Sequence, residues 1–327
     1  MEAAGAGSPA HGTRGSEGNL PGLGAATVAM VAWGFSGILV ALTTQPALVV
    51  ALERMALGVP LVAVMLTVSR RRLSWQALWL SVPGGVLLCG DIALFYSAVK
   101  LTSIADATII GALQPALVLF VARPLFGERV SFTQVLWTLV AVVGVGAVVA
   151  GSGPKGTDAA LGDWLAAGSM CCWTGYWLVS KYVRTPHAGT GAKAALTPNE
   201  AAGEALGPVE YTSGVMLVAT VAMVPVTLLS GEHLGWGTQA DWLWMALLAL
   251  IPGGAHVLLN WAHRFVGVSV SSVIVSVNPV VAAGAAAVVL GQAVDAVQVV
   301  GGVAAIVAVS MVARRAAREE PALAAAT

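Results

Sequence analysis

Charge is what this sequence has least of. Of 327 residues only 10% are charged while 57% are hydrophobic, and a mean hydropathy of +0.84 excludes a soluble globular chain, in which charged residues make up about a quarter. The 16 basic and 16 acidic residues cancel, which leaves no basic patch for nucleic acid and no charged tail. Cysteine is scarce as well. Cys89, Cys171 and Cys172 all fall inside apolar runs, and neighbours on a helix point about 100° apart. Neither a disulfide nor a chelate is expected, and the three read as small buried hydrophobes. No CxxC, HxxxH or Walker loop occurs. Bound zinc and ATP hydrolysis therefore have no support, no cofactor is expected, and any transport must draw on gradients.

What the chain has instead is long apolar runs. A helix needs about 20 apolar residues to cross a bilayer, because every backbone N–H and C=O must be satisfied within the segment. Ten runs meet that length, at 22–43, 47–68, 76–98, 103–122, 133–151, 161–181, 210–230, 241–263, 269–290 and 296–313. The expected class is an all-α integral membrane protein with ten transmembrane helices. Residues 1–21 and 314–327 read as cytoplasmic tails, the first disordered, Gly-rich and without the cationic start of a cleaved signal peptide. The one long connection, 185–208, is rich in Gly, Ala, Pro and Thr and reads as a flexible cytoplasmic loop.

Orientation follows from Lys and Arg in the short loops. With the N-terminus cytoplasmic, the inner segments hold thirteen of the 16 basic residues, among them Arg70, Arg71, Arg72, Arg123, Arg129, Lys181, Arg184 and Arg264. The outer loops hold only Lys100 and Lys155, and Arg54 lies within a span. Losing or adding one helix scrambles this asymmetry.

The chain also repeats itself. "LQPALVLFVARPLFGE" (113–128) aligns with "VNPVVAAGAAAVVLGQ" (277–292), pairing Gln114-Pro115 with Asn278-Pro279, Gly127 with Gly291 and Glu128 with Gln292 at an offset of 164 residues. The same offset pairs Ala98 with Ala262, Lys100 with Arg264 and Gln134 with Gln298. Two copies of five helices, 22–151 and 161–313, must enter the membrane from opposite sides, which predicts inverted-topology repeats with a midplane site between them. A second match, "PGGVLLCGD" (83–91) with "PGGAHVLLN" (252–260), runs at offset 169. That register sets Asp91 opposite Asn260; offset 164 sets it opposite Ala255, beside His256. Both registers stay open.

The stretch "ALFYSAVKLTSIADATIIGALQPALVLFVARPLFGERVSFTQVLWTLVAVVGVGAVVAG" (93–151) resembles the repeat unit of the drug/metabolite transporter superfamily, EamA type. The aromatic third helix ending in Ala and a basic residue, the Thr-Ser start of the fourth, its mid-helix proline, the Gly-Glu turn and the Gly-rich fifth helix all carry the likeness. Trp33-Gly34 and Arg54 fit it too, whereas Gln292 stands where the family often shows Glu. The resemblance covers roughly 22–313. It implies a plasma-membrane or inner-membrane carrier of small metabolites, often an exporter of amino acids or toxic compounds, with both termini cytoplasmic and no enzymatic role. The expected partners are a small-molecule solute and the lipid bilayer; protons are one candidate coupling ion, and the coupling ion and the choice between monomer and homodimer stay open.

Ionisable residues inside a membrane are functional candidates by default. Asp91 fits a counter-ion for an ammonium group or a proton carrier, or else a carboxyl bonded to neighbouring helix ends. In the eighth span His256, Asn260 and His263 recur at i, i+4 and i+7 on one face. His256 reads either as a partner sharing a proton with Asp91 or as a satisfied structural histidine. Trp33, Tyr96, Trp173, Tyr176 and Trp261 offer apolar faces with one polar handle each, suited to a pocket for amphipathic or cationic solutes. Gln114 and Asn278 supply polar contact beside Pro115 and Pro279, which are expected to kink their helices. Glu53 and Arg54 are adjacent and face about 100° apart, so they do not pair with each other; each is expected to find a partner elsewhere or to snorkel, with packing favoured over solute contact. A membrane enzyme should show a clustered nucleophile and base, and a scaffold or sensor a soluble output domain; neither pattern is visible.

Overall fold

The computed structural model describes residues 20–111, 113, 114, 117, 158–184, 206–262 and 277–291, with scattered positions in 132–143 and 296–311. Among the described residues all regular structure is helical. In chain order the elements are α1 (Leu20–Gly34), α2 (Ser36–Ala41), α3 (Ala47–Val68), α4 (Trp75–Leu101), α5 (Ile104–Gly111), α6 (Ala159–Arg184), α7 (Pro208–Leu229), α8 (Gln239–Ala262) and α9 (Val277–Leu290). Five stretches are long and apolar enough to cross a membrane: Gly24–Ala41, Ala47–Val68, Trp75–Leu101, Val209–Leu229 and Gln239–Leu259. The first joins α1 and α2, which are barely separated, because Phe35 keeps a helical backbone and its carbonyl still accepts from the Leu39 N–H. α6 has 26 residues but carries Asp163, Ser169, Thr174, Ser180 and Lys181 along its length.

Local chemistry sets the helix ends. α4 starts where the Ser74 hydroxyl accepts from the Ala77 N–H, and α5 where Ser103 and Asp106 bond each other reciprocally, Asp106 N–H to Ser103 Oγ and Ser103 Oγ to Asp106 Oδ2; both are side-chain caps of otherwise orphaned donors. α3 has no cap of its own. Its first free N–H groups, Leu48 and Val49, donate to the Glu232 carboxylate from the α7–α8 connection. At its other end Arg70 takes φ 52° while Arg70 and Arg71 donate to the Thr67 and Leu66 carbonyls. That pair of bonds is a Schellman stop built on arginine rather than the usual glycine.

The residues face the wrong way for water. Val64, Trp79, Val86, Val221, Leu250 and Val288 are exposed, while Ser36, Thr43, Arg54, Gln114, Thr174 and His256 are buried. Apolar outside and polar inside is the arrangement a lipid solvent favours.

Helices before residue 111 pack mainly against helices after 159. α4 lies against α6 and α7, α1 against α8 and α9, α3 against α7 and α8, and α5 against α6 and α9. The α4–α7 crossing is closest at Gly84 and Gly85, where an added Cβ meets the Tyr211 ring and the Val218 side chain. Small residues permit such backbone approach. The other Pro-Gly-Gly, at 252–254, is open: a Cβ on Gly254 meets nothing within 4 Å. The two similar motifs thus play different packing roles.

Polar bonds gather three connections, 42–46, 102–103 and 230–238, and the start of α6 at one end of the bundle. Lys100 Nζ donates to the Thr43 carbonyl at 2.6 Å, and the Thr102 hydroxyl donates to Asp163 at 2.7 Å. The Thr44 N–H and hydroxyl both donate to Asp241. The opposite end carries Arg71, which pairs with Glu210 at 3.2 Å. Residues 1–19, 185–205 and 312–327, on which most of the expected tails and loop fall, lie outside the described residues, as does His263.

Candidate functional site

A cavity of about 130 Å³ lies where the helices of the two chain halves meet. Its polar wall comes from Ser36 on α2, Arg54 on α3, Asp91 and Tyr96 on α4, Thr108 on α5, Gln114, Ser169 on α6, His256 on α8 and Asn278 on α9. Met30, Trp33, Ile92, Phe95, Met170 and Trp173 are among the apolar lining.

The aromatic side is one cluster. The Trp33 and Trp173 rings meet edge-on at 5.0 Å, and the His256 imidazole lies 4.8 Å from Trp33 and 5.8 Å from Trp173 between centroids. Tyr176, buried behind the wall, packs on Trp173 at 5.4 Å and on His256 at 6.0 Å. Edge-to-face contacts of this kind add about 0.5–1.5 kcal/mol each beyond area burial. They hold the rings in place. Two indole N–H groups are spent on framework bonds: Trp33 Nε1 donates to the Pro252 carbonyl at 2.9 Å, and Trp173 Nε1 to Gln114 Oε1 at 3.2 Å.

That second bond sets the Gln114 amide. Indole only donates, so the carbonyl oxygen must face it and Nε2 is turned elsewhere. Among the described residues Gln114 Nε2 has no partner, nor has His256 Nδ1, although these residues are 1% and 4% exposed; the Tyr96 hydroxyl lies against Ser36 and the Arg54 guanidinium. Buried polar atoms are nearly always bonded, so two such groups facing one cavity point to a ligand or water held there. Asp91 accepts from the Ser169 hydroxyl at 2.6 Å. Among the described residues no hydrogen bond joins Asp91 to His256; the two face the same space from α4 and α8.

Seven residues singled out in the sequence therefore line the cavity: Trp33, Asp91, Tyr96, Gln114, Trp173, His256 and Asn278. Gln114 and Asn278, paired by the 164-residue offset, reach it from opposite halves of the chain. Trp261 sits on the outside of α8, 38% exposed. Pro279 occupies the first turn of α9, whereas Pro115 and the Asn260 side chain lie outside the described residues. Arg54, for which the sequence favoured packing over solute contact, lines the cavity, 5% exposed, with Nε donating to the Leu248 carbonyl at 3.3 Å and the guanidinium carbon 5.8 Å from the centre of the Tyr96 ring. The signal was present: a cation inside a span costs roughly 2.5–3.5 kcal/mol on insertion scales and needs a reason. Ser169 carried no signal of its own.

The family model for EamA-like transporters matches residues 20–150 and 199–314. The chain belongs to the EamA-like transporter family. It is accordingly a multi-pass membrane transporter of small molecules, in a family of carriers rather than enzymes. The transporter's fold is also found in a protein of known crystal structure, with a TM-score of 0.62 at 19% identity over 92% of this chain and 99% of the other. No curated protein matches the chain.

Proposed function

We propose that the protein is a secondary transporter that moves a small metabolite, amino-acid-like or drug-like, by alternating access around the cavity at Trp33, Gln114, Trp173 and His256, in the direction of export. The observation that carries this reading is the pair of buried polar atoms without a partner among the described residues, on Gln114 and His256, facing a space walled by aromatic rings. Such a set costs stability unless something uses it. A mixed wall of apolar faces with few polar groups is the usual form of a small-molecule site.

The architecture we infer is ten helices in two inverted five-helix repeats, 22–151 and 161–313, with the loop 185–208 and both termini cytoplasmic in the plasma membrane. The interleaved packing of early and late helices supports it, as does the gathering of loops 42–46, 102–103 and 230–238 at one end and Arg70, Arg71 and Arg72 at the other. In this reading the end held by Lys100 and Asp241 faces outward. Rocking of one repeat against the other exposes the cavity to each side in turn. Asp91 and His256 are the titratable groups positioned to couple protons to that motion.

Flux of labelled amino acids and cationic drugs into proteoliposomes, with and without a pH gradient, tests the proposal. Substrate-dependent flux that Gln114→Leu or Trp173→Ala reduces supports it. No flux across a broad panel with folded protein overturns it.

A further inference from the structure

Arg54 brings more donors into the cavity than the bonds it makes there use. A guanidinium carries five N–H donors in a rigid fork. Among the described residues Arg54 donates through Nε to the Leu248 carbonyl and lies against the Tyr96 hydroxyl, which leaves most donors of the fork unspent. The ion pair Arg71–Glu210 is the one formed among the described residues, so no carboxylate there lies within 4.0 Å of Arg54. Beside it is the Tyr96 hydroxyl, and Gln114 Nε2, unpartnered among the described residues, faces the same cavity and can only donate. The one anionic group in the wall, Asp91, feels the Arg54 charge but lies beyond ion-pair distance of it, and its Oδ1 is engaged by Ser169.

From this census we infer that Arg54 is the recognition residue for the carboxylate of a small organic acid held in the cavity. The inference rests on the carrier reading above and names its solute class. A carboxylate offers two coplanar oxygens that match the outer N–H groups of a guanidinium. Tyr96 and Gln114 add donors to the same oxygens or to a neighbouring carbonyl. Trp33, Trp173, Ile92 and Phe95 leave the far side for an apolar tail. The space, about 130 Å³, suits a small solute. The Nε bond to α8 fixes the fork, so its orientation does not have to be found when the solute arrives.

Three compounds with one tail and three charges test the inference: 3-methylbutanoate, its amide and 3-methylbutylamine, titrated calorimetrically into the purified full chain. The acid should bind at least tenfold more tightly than the amide, and the amine not at all. Arg54→Gln should abolish the discrimination, while Arg54→Lys, which keeps charge but not the fork, should keep the preference at about tenfold weaker affinity. If Arg54→Gln does not fold, Tyr96→Phe and Gln114→Leu should each weaken the acid severalfold without changing amine binding. Equal binding of amide or amine, discrimination that survives in Arg54→Gln, or no binding of the acid overturns the assignment. Flux measured separately keeps the two readings apart. Carriage of amines alone removes this inference and leaves a carrier; binding of the acid without flux of any solute removes the carrier and leaves the site.

Discussion

Arg54 on α3 donates from Nε to the carbonyl of Leu248 on α8 at 3.3 Å, and that carbonyl is the one Pro252 leaves without its helical donor. Proline four residues on has no N–H to offer. In a membrane a freed carbonyl must find another partner, and here the partner is a buried cation that itself needed an acceptor. The break in α8 and the charge in α3 thus explain each other. The Pro252 carbonyl is tied in as well, by the Trp33 indole.

Replacing Pro252 with Ala restores an N–H that competes with Arg54 for the Leu248 oxygen. Thermal unfolding should show equal or higher stability, by up to about 1 kcal/mol for the recovered bond, while transport falls severalfold because the guanidinium loses its anchor. A drop in both, or in neither, contradicts the coupling.

The two Pro-Gly-Gly motifs predict opposite tolerances. A Cβ on Gly85 comes within 2.5 Å of the Val218 side chain and 3.0 Å of the Val215 carbonyl oxygen, so Gly85→Ala should cost roughly 1–3 kcal/mol through overpacking. Gly254 has nothing within 4 Å. Gly254→Ala should be neutral or stabilising by about 1 kcal/mol, the helix-propensity difference. Chemical denaturation of the two variants side by side measures the contrast.

Asp241 is the clasp of the end that carries residues 42–46. It accepts from the Thr44 N–H and hydroxyl and from the Thr238 N–H and hydroxyl, at 2.7–2.8 Å. Asp241→Ala should destabilise by roughly 3 kcal/mol, since charged bonds are lost and donors are stranded. It should also open that end. In a chain with Cys89, Cys171 and Cys172 replaced, Ser36→Cys should react with an impermeant thiol reagent several times faster once Asp241 is changed; an unchanged rate means that the clasp does not close the cavity.

Much of this was legible in the sequence because membranes impose simple rules. Runs of about 20 apolar residues located α1 through α4 and α6 through α8 within a few positions, and a rule against buried polar groups drew attention to Asp91, Gln114 and His256. The 164-residue offset linked Gln114 to Asn278 before any geometry placed both at one cavity. Pairing across helices was not legible. Asp91 bonds to Ser169, seventy-eight residues away, and neither candidate register for Asp91 pointed to α6. Arg54 was read as packing because its neighbour Glu53 points elsewhere along α3, and its actual acceptor is a backbone atom that exists only because Pro252 lies four residues beyond it. The exposed Trp261 shows the limit of choosing aromatics by span alone, since lipid and cavity both accept indole.

The most direct test of the central claim is uptake by proteoliposomes holding either the wild type or Trp173→Ala, the ring that packs against Trp33, Tyr176 and His256 and holds the Gln114 amide. The account predicts solute-dependent uptake by the wild type and at least a tenfold lower rate for the variant when both are folded. Equal uptake by the two, or none by the folded wild type across amino acids, organic acids and amines, contradicts it.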